Sequence, residues 1–445
     1  MTKQTEWLRS PDAAEFLLNL YKSFAASNPL ITIMADRLRQ VAGVAMIHLI
    51  DHWVLPATDE TAAKLIQYGF EVSLTIDGDE VWARAGARLP RVRLSAEINL
   101  IRIAVCVESI DEFAGAWGLP PVGRRGDTES GYEEARYPLA EGELAVIVRL
   151  GYNGFRPGEL KASSLRSLRN VRRRLRSRPR YSDAAENIRE AKLLLTDVVG
   201  EIGEERTVDE LFAAEREYYV ARNAAARHQF LLQQELGIGW ANQDHHTFRS
   251  SREGFRDLVD LWTLLGFEAR ERYYAGEEAG WGAQILEHSV SRVVLFCDVD
   301  IAPEELDIDF SIVDLPPRQS LGTIGIWCAL HGDSIGLAGM HHLECEYDFE
   351  AACSSLKAAG FDVMPPFTDL PMLKQAFTVG EVWPVSRERI EALRTDGFIS
   401  SEQAARFAEH GAVGSHLEIL QRWEGFKGFN KTGVSAIIRA TDARS

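Results

Sequence analysis

The feature that most constrains the fold is an internal repeat in the order of predicted strands and helices. A strand near Asp51-His52 leads into the helix-like segment TAAKLIQYGF, and a strand near Asp244-His245 leads into FRDLVDLWTLLGF. Both passes end the helix at Gly-Phe and continue into short strands separated by Gly and Asp turns. Two further passes begin at INLIRIAVCVES and AGMHHLECEYD. We therefore predict an α+β protein of four βαβββ modules, paired two by two into curved mixed sheets.

The middle of the chain has a different pattern. Long runs such as AAENIREAKLLLTDVVGEIG have helical periodicity and helix-forming composition. They separate two strand-rich halves. The predicted organisation is a module pair with leading helices in residues 1–158, a helical connecting segment in residues 159–236, and a second module pair in residues 237–445.

Charge and composition exclude several classes of partner. The chain has 49 Lys and Arg against 66 Asp and Glu, a net charge of -17, which opposes nonspecific nucleic-acid binding. The N-terminus lacks a basic and apolar leader, and no run of 18 apolar residues occurs, so neither export nor membrane association is expected. Five cysteines without CxxC spacing argue against a disulfide framework or a cysteine zinc site. We expect a cytoplasmic protein.

One segment departs from the overall acidity. Residues 161–180 contain nine basic residues and no acidic one. Leu165, Leu168, Val171 and Leu175 have helical spacing, which predicts a helix with a buried apolar stripe and a solvated basic face. An anion site and a patch that docks onto acidic parts of the chain are the two alternatives.

Paired histidines in two strands suggest a metal site. Side chains of a strand alternate between its faces, so His245-His246 and His341-His342 each provide one inward imidazole. Glu418 lies in the apolar strand HLEIL, where an unpaired buried carboxylate would be costly. Two imidazoles and one carboxylate form the facial ligand set typical of non-heme Fe(II) oxygenases. The alternative is that these are ordinary strand histidines satisfied by their neighbours.

Several segments of the C-terminal half carry a family resemblance. In DHHTFRSS, Arg249 follows His245 by four residues, and LLGFEARERYYAG, WGAQILEH and RVVLFCDVDI come next. With GLAGMHHLE, PMLKQAFTVGEVWPV and GSHLEILQRWEGFKGFNKTGVSAII, they resemble the 2-oxoadipate dioxygenase/decarboxylase family, or D-2-hydroxyglutarate synthases. That family belongs to the vicinal oxygen chelate superfamily. The resemblance covers about residues 240–440, in order.

This resemblance implies a metal bound by His245, by one of His341 or His342, with His342 preferred, and by Glu418. Independently of the resemblance, His416 lies two residues before Glu418 on the same strand face and is a rival ligand. The resemblance also implies Fe(II) as the cofactor, O2 as co-substrate, and a small 2-oxo acid, similar to 2-oxoadipate, as the carboxylate substrate. Oxidative decarboxylation would give a 2-hydroxy acid and CO2.

The same resemblance implies that Arg249 binds the substrate carboxylate as a catalytic-site residue. A guanidinium holds a carboxylate through two charge-assisted hydrogen bonds. Positions 245, 247 and 249 share a face of a regular strand, so the ligand and Arg249 would project into one cavity.

Three further residues are candidates for substrate binding. Gln375 lies in MLKQAF, which resembles a family segment near the site. Arg422, four residues after Glu418, would make either a second anion contact or a surface ion pair. Ser435 lies near the C-terminus, where chains of the superfamily often close the pocket.

Four residues on the strands after the first helix of the C-terminal half would either line the pocket or lie in the core or at its rim: Tyr273, Tyr274, Trp281 and Gln284.

The N-terminal pair looks like a degenerate, noncatalytic copy. It keeps Asp51-His52 but has Pro56 at the position that matches Arg249, and Val148 or Arg149 where a carboxylate is expected. We therefore expect the metal-binding, catalytic pair in residues 237–445. The rival hypotheses are a metal-dependent isomerase or lyase of the same superfamily and a small-molecule binding protein without turnover.

Overall fold

The computed structural model describes residues 7–444 except 77, 121–122, 158–164, 278, 369, 431–436 and 438–440. Two helices lead the chain, α1 (Pro11–Ser27) and α2 (Pro29–Ala42). The first module is β1 (Ile50–Pro56), α3 (Asp59–Gln67), β2 (Glu71–Ile76), β3 (Asp79–Ala83) and β4 (Arg91–Ser95). The second is β5 (Arg102–Cys106), α4 (Ile110–Ala116), β6 (Arg124–Asp127), β7 (Tyr132–Leu139) and β8 (Gly142–Arg149).

Four helices then connect the halves: α5 (Leu165–Arg176), α6 (Ala184–Ile202), α7 (Glu204–Arg222) and α8 (Ala224–Glu235). The third module is β9 (Gln243–Arg249), α9 (Arg252–Leu264), β10 (Phe267–Tyr274), β11 (Trp281–His288) and β12 (Val294–Asp300). After α10 (Thr323–His331), the fourth is β13 (His342–Glu346), α11 (Phe349–Ala358), β14 (Leu373–Phe377), β15 (Glu381–Trp383) and β16 (Ala412–Arg422). Helices α12 (Arg387–Thr395) and α13 (Ser401–His410) are inserted before β16.

The strands form two eight-stranded mixed sheets of matching topology. The N-terminal order is β2-β3-β4-β1-β5-β8-β7-β6, and the C-terminal order is β10-β11-β12-β9-β13-β16-β14, with β15 also paired to β16. In each sheet the first strands of the two modules run antiparallel at the centre, and each also pairs in parallel with the last strand of its own module. The predicted α+β fold of paired βαβββ modules in mixed sheets is confirmed.

Helices α7 and α9 pack on one face of the C-terminal sheet, and the candidate site residues point to the other. On β9, Phe248 packs edge-on against Trp262 of α9 at 4.9 Å, and His246 contacts Phe212 of α7 at 4.8 Å. Because side chains alternate along a strand, His245 and Arg249 point to the opposite, concave face. The core therefore fixes which residues reach the site.

The basic segment docks onto acidic helices. Leu168, Val171 and Leu175 of α5 are buried, as predicted, whereas Leu165 is 47% exposed. Arg172 donates two hydrogen bonds to Glu210 of α7, at 2.7 and 2.8 Å. The alternative in which the patch pairs with acidic residues of the chain therefore describes α5 better than a fully solvated face. Within the described residues, no helix combines the length and apolar character needed to cross a membrane.

Candidate metal centre

Three neighbouring strands bring the predicted ligands together. In the central register, His245 of β9 lies opposite Glu344 of β13, and Glu344 lies beside Glu418 of β16. One step along the sheet, Thr247 lies opposite His342, which pairs with His416. These two rows of side chains point to the concave face.

His245, His342 and Glu418 form a compact, buried group. One ligand atom from each of the three lies within 4.8 Å of the others. Nε2 of His342 is 3.0 Å, and Nε2 of His245 is 3.9 Å, from Oε2 of Glu418. This geometry brings together two imidazoles and one carboxylate from three strands, the set expected for a divalent metal with open coordination positions.

The two alternate ligands lie outside this group. His416 donates Nδ1–H to the carbonyl oxygen of Thr378 at 2.8 Å, and burial lowers its pKa to about 3, so its ring is neutral. His341 packs edge-on against Trp327 at 5.4 Å, with its Nδ1 2.9 Å from Nδ1 of His342. Among the described residues, neither histidine belongs to a group of candidate metal ligands.

Glu344 is a site residue that the sequence reasoning missed. Its Oε1 lies 3.0 Å from Nδ1 of His245, which orients that ring with Nε2 toward Glu418. Asp244 provides a second oxygen 3.4 Å from the same Nδ1. The signal was present in the sequence, because the triplet His-Leu-Glu occurs both at 342–344 and at 416–418.

The electrostatics of the group fit a bound cation. Burial raises the pKa of Glu418 and, together with the neighbouring Glu418 carboxylate, raises the pKa of Glu344 well above its usual range. Although burial opposes it, the Glu344 carboxylate raises the pKa of His245 to about 10. Two buried carboxylates side by side attract positive charge, which a divalent metal on His245, His342 and Glu418 would supply.

Gln375 bridges the two carboxylates. Its Nε2 donates to Oε2 of Glu344 and to Oε1 of Glu418, both at 3.1 Å. Phe377, two residues further along β14, pairs with Glu418, and its ring packs at a tilt against the His342 ring, with the ring centres 5.2 Å apart. Gln375 therefore lies at the site, where its amide group is hydrogen-bonded to Glu418 and does not extend beyond it towards a substrate.

Arg249 lies on the same face of β9 with unused donors. Its side chain is 3% exposed, Nε and Nη1 have no hydrogen-bond partner among the described residues, and its guanidinium lies over Trp327 at 5.3 Å. Asp298 of β12 is 3.8 Å from Nε, and burial raises the pKa of Asp298 to about 7. A buried guanidinium with free N–H groups suits a carboxylate ligand.

Strand parity divides the four residues proposed for the pocket wall. Tyr273 and Trp281 belong to the apolar cluster on the concave face, whereas Tyr274 packs with the core behind the sheet. Gln284 pairs with Cys297, points away from the concave face and donates to the carbonyl oxygen of Ile285. Ser435 lies outside the described residues.

Arg422 makes an internal ion pair beside the candidate metal centre, with its Nη2 3.8 Å from Oε1 of Glu344. Its Nε and Nη2 donate to the two carboxylate oxygens of Asp244 at 3.2 and 3.0 Å, and Nη1 donates to the carbonyl oxygen of Gly428. The side chain is 5% exposed. A surface ion pair does not describe this buried arrangement, and the contact of Arg422 with a substrate stays a prediction.

The N-terminal sheet has an ion pair equivalent to the one between Arg422 and Asp244, but it lacks the two carboxylates of the candidate metal centre. Arg149 donates to both oxygens of Asp51 at 2.8 Å, and His52 lies in the register position of His245. The register places Ala104 and Ala145 where the C-terminal sheet has Glu344 and Glu418. The prediction that Val148 or Arg149 occupies the position of the metal carboxylate is therefore wrong, because Ala145 lies there. Arg149 corresponds to Arg422.

Comparisons with known proteins give distant likenesses. No protein-family model and no curated protein matches the chain. Solved structures similar to part of it include a putative hydrolase from Shewanella frigidimarina, 16% identical, which covers 51% of this chain and 98% of its own, with a TM-score of 0.36. A 4-hydroxymandelate synthase mutant from Streptomyces coelicolor is 11% identical and covers 88% and 98%, with a TM-score of 0.30.

A methylmalonyl-CoA epimerase from Mycobacterium tuberculosis is 12% identical and covers 41% of this chain and 88% of its own, with a TM-score of 0.23. TM-scores this low do not establish a shared fold. The fold described above follows from the chain's own strand order and register.

Proposed function

We propose that this protein is an Fe(II)-dependent dioxygenase that decarboxylates a small 2-oxo acid, similar to 2-oxoadipate, to a 2-hydroxy acid and CO2. The observation that carries the proposal is the buried group of His245, His342 and Glu418 on the same concave face as Arg249. Bound Fe(II) would supply coordination positions for the 2-oxo acid and O2, and electrons for the oxidation.

The residues of the chain have separable roles in this proposal. Arg249 binds the substrate carboxylate that lies away from the metal, because its Nε and Nη1 have no hydrogen-bond partner in the described part of the chain and its guanidinium lies over the Trp327 ring. Glu344 and Asp244 fix the His245 ring through Nδ1. Phe296 and Phe429 pack on that ring at 4.5 and 5.2 Å and exclude water from one side of it.

The reaction balances without another reductant. One 2-oxo acid and one O2 contain all the atoms of one 2-hydroxy acid and one CO2. The bond between the keto carbon and the carboxylate breaks, and that carboxylate leaves as CO2. Both atoms of O2 end in the 2-hydroxy acid, one in the new carboxylate at the former keto carbon and one in the hydroxyl that replaces a hydrogen on the next carbon. No nucleotide cofactor is needed, consistent with a sequence that has neither GxxxxGK[ST] nor a GxGxxG motif after a strand.

Oxygen consumption by the Fe(II)-loaded chain with 2-oxoadipate tests the proposal. We expect substrate-dependent O2 uptake with one CO2 released per O2. Arg249→Lys should raise KM while iron content stays near that of the wild type, because the planar fork is lost but the ligands remain. Arg256→Lys on the outer helix α9, where the side chain is 40% exposed, is the matched control and should behave as wild type.

Two results would contradict the proposal. Product formed under strictly anaerobic conditions would indicate a metal-dependent isomerase or lyase. Iron that binds stoichiometrically, with no turnover of any of a panel of 2-oxo acids, would favour a binding protein.

A further inference from the structure

The concave face of the N-terminal sheet has a charge excess that its own pairing does not neutralise. Arg93 pairs with Asp79, Arg102 with Glu143, Arg136 with Glu134, and Arg149 with Asp51. All four carboxylates are therefore engaged. Arg91 of β4, which lies in register with His52, also belongs to this face.

Arg91 is buried with two donors unused. It is 7% exposed, and Nη1 donates to the carbonyl oxygen of Asn153 at 3.3 Å. Nε and Nη2 have no hydrogen-bond partner among the described residues. Nη2 lies 3.9 Å from Oδ2 of Asp51, whose two oxygens already accept from Arg149. A buried guanidinium that shares its counter-charge with another arginine and leaves donors unpaired is costly.

A third arginine reaches the same carboxylate from the other half of the chain. Arg292, in the turn between β11 and β12, has Nη1 4.0 Å from Oδ1 of Asp51 and a side chain that is 44% exposed. Its backbone adopts the left-handed conformation, φ 59°, which a non-glycine residue rarely takes. Three guanidinium groups thus converge on one carboxylate, and Arg292 opens the cluster to solvent.

The electrostatics agree with this geometry. Burial and the neighbouring positive charge of Arg292 lower the pKa of Arg91 to about 9. The floor beside His52 is built from Ala104 and Ala145, the small residues at the register positions of Glu344 and Glu418. The N-terminal sheet therefore has small residues in place of the two carboxylates, and it has Arg91 at the register position where the C-terminal sheet has Val294.

We propose that this face binds a small carboxylate between Arg91 and Arg292, at a site separate from the candidate metal centre. Nε and Nη2 lie on one edge of the Arg91 guanidinium, and that edge matches the two oxygens of a carboxylate. The ligand enters at Arg292. Its negative charge adds to that of Asp51, which alone does not balance the three arginines. The proposal does not depend on iron or on turnover.

Calorimetric titration of the full chain with glutarate, at constant ionic strength set with sodium chloride, tests this site. The titration uses an Arg249→Met variant as the parent, which removes the arginine proposed to bind the substrate carboxylate near the candidate metal centre. We expect about one glutarate bound per chain, with affinity lowered about tenfold or more by Arg91→Met and also reduced by Arg292→Gln. Arg166→Gln, on the exposed face of α5, removes the same charge elsewhere and should change nothing.

A folding control keeps the test decisive. Without glutarate, Arg91→Met should melt at or above the temperature of its parent, because it removes an unpaired buried charge. Arg292 is half exposed, so Arg292→Gln tests the site even if Arg91→Met does not fold. The proposal is overturned if glutarate gives no more heat than chloride, or if both variants bind it as the parent does. Tighter binding of inorganic phosphate, lost in the same variants, would overturn the assignment to a carboxylate.

Discussion

Replacing Arg422 by Leu should destabilise the protein and leave substrate affinity unchanged. Arg422 donates two hydrogen bonds to Asp244, and the two side chains are 5% and 2% exposed. Although burial opposes it, the Arg422 guanidinium holds the pKa of Asp244 well below its usual range. This contribution is complete above the ordinary Asp pKa and is lost as pH falls, so pH 7 measures all of it.

The magnitude follows from what remains around Asp244. Removing one partner of a buried ion pair costs about 3–5 kcal/mol. Asp244 keeps Arg88 at 3.1 Å, a partner that is 35% exposed, so we expect the lower limit, about 3 kcal/mol. Urea denaturation of the metal-free chain at pH 7 measures this loss as a lower midpoint at unchanged slope.

Arg149→Leu is the matched control, because Arg149 makes the same two-bond pair with Asp51 in the other sheet. It should cost a similar free energy of unfolding and leave metal affinity unchanged. Arg422→Leu should in addition weaken metal binding about tenfold, because Asp244 lies 3.4 Å from Nδ1 of His245. Near-wild-type stability of Arg422→Leu, together with a raised KM, would contradict this prediction. It would indicate that Arg422 contacts the substrate.

Three further outcomes follow from the structure. Glu344→Gln should weaken metal binding about 10- to 100-fold in a chelator competition, because Glu344 orients His245; unchanged affinity would contradict that role. Burial raises the pKa of Asp298 to about 7, so Asp298 is a carboxylate above that pH and competes for Arg249. KM should therefore rise above pH 7, and Asp298→Asn should flatten the profile. Trp262→Ala should lower the free energy of unfolding by about 3–5 kcal/mol in urea, since Trp262 is fully buried; a loss below about 1 kcal/mol would contradict its place in the core.

The sequence was most informative where one strand could be read by itself. Alternation along β9 correctly separates His246 and Phe248, which face the helices, from His245 and Arg249. The register between strands was harder to predict, because it depends on pairing between residues that are far apart in the sequence. Ala145 rather than Val148 occupies the position of Glu418 for this reason.

Side-chain partners were harder still to predict. The spacing of Arg422 from Glu418 does not reveal that Asp244, on a distant strand, takes both of its donors. Glu344 was overlooked although it repeats the His-Leu-Glu pattern of Glu418, because only the sheet register shows it opposite His245. The helices α12 and α13, inserted between β15 and β16, also leave no trace in the module pattern.

Metal content of the purified chain and its variants tests the central claim most directly. After loading with Fe(II) and removal of excess metal, the wild type should hold about one iron per chain. Glu418→Ala should hold almost none, and His416→Ala should retain it, since His416 bonds to the Thr378 carbonyl outside the ligand group. Iron retained by Glu418→Ala and lost from His416→Ala would contradict the proposed centre.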